Sequence, residues 1–164
     1  DAKQKLKICN KKFKVGLSWK SFKNAYSHQK SINLKELKFL EKLDNVDFIN
    51  LQYGDVQSEI LEFNSLSKTK ILEINNVNLT DDLIQVASIL KNIDLFLTVS
   101  NSTAHLAGSL GIKTLLIKPF NQATFHYWNQ PNNQTPWYES IELLEREDIY
   151  NTEIIISKIL SKLN

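Results

Sequence analysis

The chain has 164 residues, 42% of them apolar, with 20 Lys plus Arg against 18 Asp plus Glu and a formal net charge of +2, the profile of one soluble domain rather than two. A chain of this length buries roughly 68–70% of its unfolded surface, so one core suffices without disulfides or metals; the single Cys9 excludes an internal bridge, a zinc cage and a redox pair, and points to a reducing compartment, the cytoplasm. No apolar run approaches the roughly 20 residues of a membrane helix and no signal peptide is visible; with no Met at any position, the natural protein is expected to begin upstream of Asp1.

In chain order, charge comes first. Residues 1–30 hold nine Lys and one Asp, a local +8, and the remainder carries −6. Lys3, Lys5, Lys7, Lys11 and Lys12 read as a solvated basic lead-in or linker over 1–13, ahead of a domain at 14–164. Nucleic acid is not the expected partner, because 19 of the 20 basic residues are Lys whereas base edges are read by the forked donors of Arg.

Short β-branched or aromatic runs then alternate with segments of helical period. Residues 13–19 (FKVGLSW) predict a strand, and 33–43 a helix with Leu34, Leu37, Leu40 and Leu43 near one face. A second strand follows at 46–51. Asp55 is the expected cap of a helix reaching Phe63, and 70–74 a short strand. Thr80 or Asp81 should cap the next helix, at 82–93, which leads to a strand at 94–99, a short helix at 102–110, a stop at Gly111 and a strand at 113–118. A strand at 140–144 and a helix at 152–163 close the chain. Strands separated by helices imply an α/β, doubly wound, mainly parallel sheet with helices on both faces. The stretch 119–139 holds all three Pro and is long for a passive connection. Trp137 and Tyr138 are expected to cover the core; Lys118, His126 and Trp128 are candidates for a substrate cleft.

In an open parallel sheet, ligands bind beyond the carboxyl ends of the strands. The sequence TVSNSTAHLAGSLG at 98–111 breaks a buried strand into small polar residues and restarts as a helix of small residues. Ser100, Asn101, Ser102 and Thr103 would present hydroxyls, an amide and unpaired helix-start N–H groups to an anion, and His105 would look back at the same ligand. The same residues also fit a plain cap at Asn101 or Ser102 and a satisfied core His. Lys20, Lys23, His28 and Lys30 follow the first strand, where a cation would strengthen diphosphate binding. The chain has no glycine-rich dinucleotide fingerprint and no Gly-Lys-Ser/Thr phosphate loop. His28, His105 and His126 are too widely spaced to announce a zinc site, Asp81 and Asp82 face different directions on a helix, and no Gly-x-Ser-x-Gly elbow supports a triad.

KVGLSWKS, a basic loop ending in Lys30-Ser31-Ile32, FINLQYGD, DDLIQVASILKNIDLFLTVSNSTAHLAGSLG, KTLLIKPF and TPWYESIELL occur in an order that resembles the C-terminal half of GT-B glycosyltransferases, which consist of two Rossmann-like domains. The resemblance is to the heptosyltransferase family and to O-GlcNAc-transferase-like modules of tetratricopeptide-repeat proteins. It implies a metal-independent glycosyltransferase half that binds a nucleotide sugar as donor and needs no other cofactor. The acceptor site and general base would belong to a missing N-terminal domain, leaving the fragment alone inactive. By the same resemblance, Lys30 contacts the diphosphate in transfer, Asn101 to Thr103 hold it, His105 stands where the family has His, and Gln52 and Gly54 lie near the nucleoside. Two departures stand out: many relatives have Asp-Thr where this chain has Ser100-Asn101, and several have Arg in place of Lys30. The alternatives are a non-catalytic nucleotide- or glycan-binding module of the same fold and a nucleotide-sugar epimerase.

Overall fold

The computed structural model describes residues 12–22, 26–119, 125–129 and 131–163; most of the basic lead-in, Cys9, Lys23 and Phe120 lie outside them. Six strands, β1 (Phe13–Ser18), β2 (Val46–Asn50), β3 (Ile71–Leu72), β4 (Leu95–Val99), β5 (Thr114–Ile117) and β6 (Ile141–Leu144), form one sheet of order β3-β2-β1-β4-β5-β6. Every pair is parallel. The α-helices are α1 (Ser27–Lys30), α2 (Gln57–Leu66), α3 (Leu83–Leu90), α4 (Ser102–Ser109) and α5 (Thr152–Leu163), with 3₁₀ segments η1 (Leu34–Lys42), η2 (Pro131–Asn133) and η3 (Arg146–Tyr150).

The central strand β4, LFLTV, is buried throughout because both of its faces are covered. Its alternation sorts the core. Leu95, Leu97 and Val99 join Val15, Leu17, Leu115 and Ile117 on the face packed by η1, α2 and α5 through Leu34, Leu40, Ile60, Ile155 and Ile159. Phe96 points the other way, with Val86 and Leu90 of α3 and Ala107 of α4. Ala104 and Trp128 pack with Leu116, Ile141 and Leu143 in a third cluster on the β5–β6 side.

Local chemistry moved several boundaries. Where the spacing predicts an α-helix over 33–43, Leu34–Lys42 form a 3₁₀ segment kinked at Leu37, started by a capping box: the Lys35 amide donates to Asn33 Oδ1 and the Asn33 amide to Glu36 Oε1. Asp55 is not a cap, since α2 begins after Val56 with no side-chain acceptor. Asp82, not Thr80 or Asp81, caps α3 by accepting from the Gln85 amide; in the turn before it Asn78 Oδ1 accepts from the amides of Thr80 and Asp81. Gly111 adopts φ +69° and ends α4 as expected. Trp137 does not cover the core: it is 62% exposed. Tyr138, half-buried, lies against α4 at a place where a Cβ on Gly108 would stand 2.5 Å from its ring.

Candidate functional site

β1 and β4 are neighbours whose connections leave toward opposite edges of the sheet, so the crevice beyond Ser18 and Val99 is the switch point where such sheets bind ligands. Three polar side chains build its walls. Gln52, 1% exposed, accepts at Oε1 from the Ser18 hydroxyl (3.0 Å) and from the amides of Trp19 (2.8 Å) and Lys20 (2.7 Å), and donates through Nε2 to the Tyr53 carbonyl. Asn101 caps α4 by accepting from the Ala104 amide at 3.0 Å. Its Nδ2 donates across the crevice to Ser18 Oγ (2.8 Å) and the Lys20 carbonyl (3.3 Å). Ser100 Oγ accepts from the indole of the fully buried Trp128 at 3.0 Å. Gln52 and Asn101 thus tie the β1 turn to the segments after β2 and β4, and Trp128 holds Ser100, which fixes the crevice's shape.

What those walls leave is a cavity of about 190 Å³ bordered by Ser21, Lys30, Tyr53, Ser100, Asn101, Ser102, His105 and Tyr127. At about 30 Å³ per water, that is room for roughly six waters, the scale of phosphate groups rather than of a whole nucleotide. Lys30, at the end of the one-turn helix α1, is 7% exposed, and its Nζ sits 4.5 Å from the centroid of the Phe125 ring. Among the described residues no carboxylate forms an ion pair with it, and burial pulls its pKa below the ordinary lysine value. The amides of Ser102 and Thr103, in the first turn of α4, have no acceptor within the helix. His105 is stacked on Trp128 (5.1 Å, 30°) and shares a 3.0 Å hydrogen bond between Nδ1 and the Tyr138 hydroxyl. Burial first, and the Lys30 charge second, hold its pKa below 6.5, so the imidazole is neutral near pH 7. In the tautomer whose Nδ1 accepts from the Tyr138 hydroxyl, Nε2 carries the proton and is a donor.

The other candidates lie elsewhere. Lys20 pairs with Glu59, which also accepts from the Trp19 indole, so its ammonium is already neutralised. Thr103 is buried and does not border the cavity. Lys118 pairs with Glu145 at 2.6 Å, and His126 is an exposed ring set edge-on to Tyr127 and Trp137. Trp128 is a buried support beneath Ser100. Gly54 borders a second cavity of about 610 Å³ beyond β2 and β3, with Gln52, Asp55 and the segment from Asn76 to Thr80; Tyr53 borders both cavities. Gly54 has φ +85°, and a Cβ there would meet the Phe22 ring at 2.6 Å. Among the described residues no group of three or more His, Cys, Asp or Glu is placed to hold a metal ion, and no helix is long and apolar enough to cross a membrane.

A six-stranded parallel sheet in this order, wrapped by helices, with a polar crevice at its switch point, defines a Rossmann-like α/β unit. Comparison with solved structures places it beside one such protein: over 99% of this chain the fold superposes on the E. coli ADP-heptose LPS heptosyltransferase II with a TM-score of 0.60 and 9% sequence identity, covering 50% of that enzyme. The fold is therefore heptosyltransferase-like, of the kind that forms half of a GT-B glycosyltransferase. In sequence, the chain is 30% identical over 136 residues to Protein FlbA of Caulobacter vibrioides; this is 82% of the chain but 22% of FlbA. The chain spans about a fifth of that relative and half of the heptosyltransferase. No protein-family profile matches it, and neither likeness supports the tetratricopeptide-repeat arm of the resemblance.

Proposed function

We propose that this domain is the donor-binding half of a GT-B glycosyltransferase and that the cavity between β1 and β4 receives the diphosphate of a nucleoside diphosphate sugar. The observation that carries this reading is Lys30: a buried lysine with no carboxylate paired to it among the described residues, beside the Ser102 amide at the start of α4. A buried cation is costly unless it meets an opposite charge. An anion in the cavity would supply one, and the helix dipole favours the same sign. The larger cavity across Tyr53 lies in the size range of ligand pockets, about 300–1,000 Å³, and suits the nucleoside end.

The chemistry follows from where charge grows. As the bond from the sugar to the diphosphate breaks, negative charge accumulates on the leaving oxygens. Lys30, the amide of Ser102 and, in its Nε2-protonated form, His105 meet that charge in fixed positions, stabilising the transition state more than the bound substrate. The acceptor and a base are assigned to a partner domain, because none of the described residues that border the cavity carries a carboxylate. That same lack favours, as second reading, a module that binds the nucleotide without transferring the sugar. Calorimetric titration with ADP, UDP, GDP and inorganic pyrophosphate tests the binding site common to both. A charge-assisted contact contributes about 1.5–3 kcal/mol, so Lys30→Ala should weaken binding by roughly ten- to a hundredfold. An unchanged affinity refutes the site. Sugar transfer by the full-length protein, present or absent, separates the two readings.

A further inference from the structure

Arg146 is the only arginine in the sequence, and it is 7% exposed. It opens η3, directly after β6, yet its guanidinium reaches more than a hundred residues back along the chain. Nη1 donates to the carbonyl of Gln29 (3.3 Å) and Nη2 to that of Ser31 (2.7 Å). These are the residues on either side of Lys30. Ser31 is in turn tied to the cavity border, since its hydroxyl accepts from the Ser21 amide at 3.0 Å, and Ile32 donates to the Trp19 carbonyl at 2.9 Å.

We infer that Arg146 is the positioning residue for the anion site: its two-pronged grip on the carbonyls flanking Lys30 holds that ammonium at the cavity. The inference rests on the diphosphate reading. A four-residue helix such as α1 has no stability of its own, and burying the Lys30 ammonium opposes the very placement seen. Left to itself, the segment would let Lys30 turn into water. A planar guanidinium with several N–H donors in fixed directions can bind two carbonyls two residues apart; an ammonium, a point charge on a flexible stem, cannot hold both. The fork reaches Lys30 through the backbone carbonyls on either side of it, while the same side chain also hydrogen-bonds Tyr150, so Arg146 acts through Lys30 and not on the ligand.

The test is a double-mutant cycle read by titration with inorganic pyrophosphate. Arg146→Lys, which keeps the charge and loses the fork, should weaken pyrophosphate binding by about tenfold when Lys30 is present, the equivalent of one charge-assisted contact. In the Lys30→Ala background it should change affinity by less than about twofold, the spread of independent sites. Amine acetylation read by mass spectrometry should show Lys30 labelled faster in Arg146→Lys, with ion-paired Lys20 and Lys118 unchanged, a pattern that general loosening would not produce. Arg146→Gln is the second variant should the first fail to fold by circular dichroism. Equal losses in both backgrounds, or unchanged labelling of Lys30, overturn the assignment. If Lys30→Ala binds pyrophosphate as well as the parent, the diphosphate reading itself fails; a loss on Lys30→Ala without one on Arg146→Lys overturns the role of Arg146 alone.

Discussion

Gln52 separates a ligand contact from a structural brace, and Gln52→Leu makes the separation measurable. Leucine is close in volume to glutamine, so little cavity is created and the cost is polar. Two buried backbone amides, those of Trp19 and Lys20, lose their acceptor at 2.8 and 2.7 Å. Each orphaned donor costs about 1–3 kcal/mol. Lys20 is partly exposed, so water recovers some of its share. The Ser18 hydroxyl can rotate to another acceptor, and the half-buried Tyr53 carbonyl can turn to water. The expected loss is about 3 kcal/mol, which for a domain of this size lowers Tm by roughly 6–12 °C. Urea unfolding followed by fluorescence reads it directly, because Trp19 and Trp128 are both fully buried; the midpoint should fall with the slope unchanged. A loss below about 1 kcal/mol, accompanied by loss of nucleotide binding, would refute the brace and return Gln52 to the nucleoside.

Three further perturbations check the same scaffold. Asn101→Ala removes the α4 cap and two contacts to the β1 turn and should cost about 2–3 kcal/mol in denaturant unfolding. Gly54→Ala must adopt φ +85°, but the ring it meets belongs to the half-exposed Phe22, which can swing aside; thermal melts should show a loss of about 1–2 kcal/mol, the backbone cost alone. His105 has a native pKa below 6.5, so its contribution to stability is complete above pH 6.5 and is lost as pH falls through the native value, since the unfolded chain then binds the proton first. His105→Gln should flatten stability against pH below pH 6.5. A phosphate anion near the ring would raise its pKa, so pyrophosphate binding should take up protons near pH 6, seen as a dependence of the calorimetric heat on buffer ionisation.

Much of the fold was legible because the signals are local. The runs VDFIN and LFLTV, the helix 152–163 and the stop at Gly111 need only periodicity and a turn residue. The errors are local: α3 starts at the next residue along, with Asp82 as its cap, and the helical pattern around Leu37 is kinked into a 3₁₀ segment. For the crevice, the small polar run after β4 marked the place but not the division of labour within it. Asn101 could be cap or ligand contact by spacing; its three hydrogen bonds make it cap and brace. Lys20 and Lys30 are the same residue type on the same loop, and only the distant Glu59 and Arg146 tell them apart. The one available signal for Arg146 was compositional: a single arginine in a chain that otherwise uses lysine.

Read by itself, the order of apolar runs, helix-forming segments and turn residues determined that this chain winds a parallel α/β sheet and that its polar business sits after the first and fourth strands. These properties follow from contacts between residues near one another along the chain. Which lysine is buried with no carboxylate paired to it among the described residues was decided by tertiary structure, because burial and partner choice depend on groups up to 117 residues apart. A charge's energy is set by what surrounds it in space, and that surrounding exists only once the chain has closed.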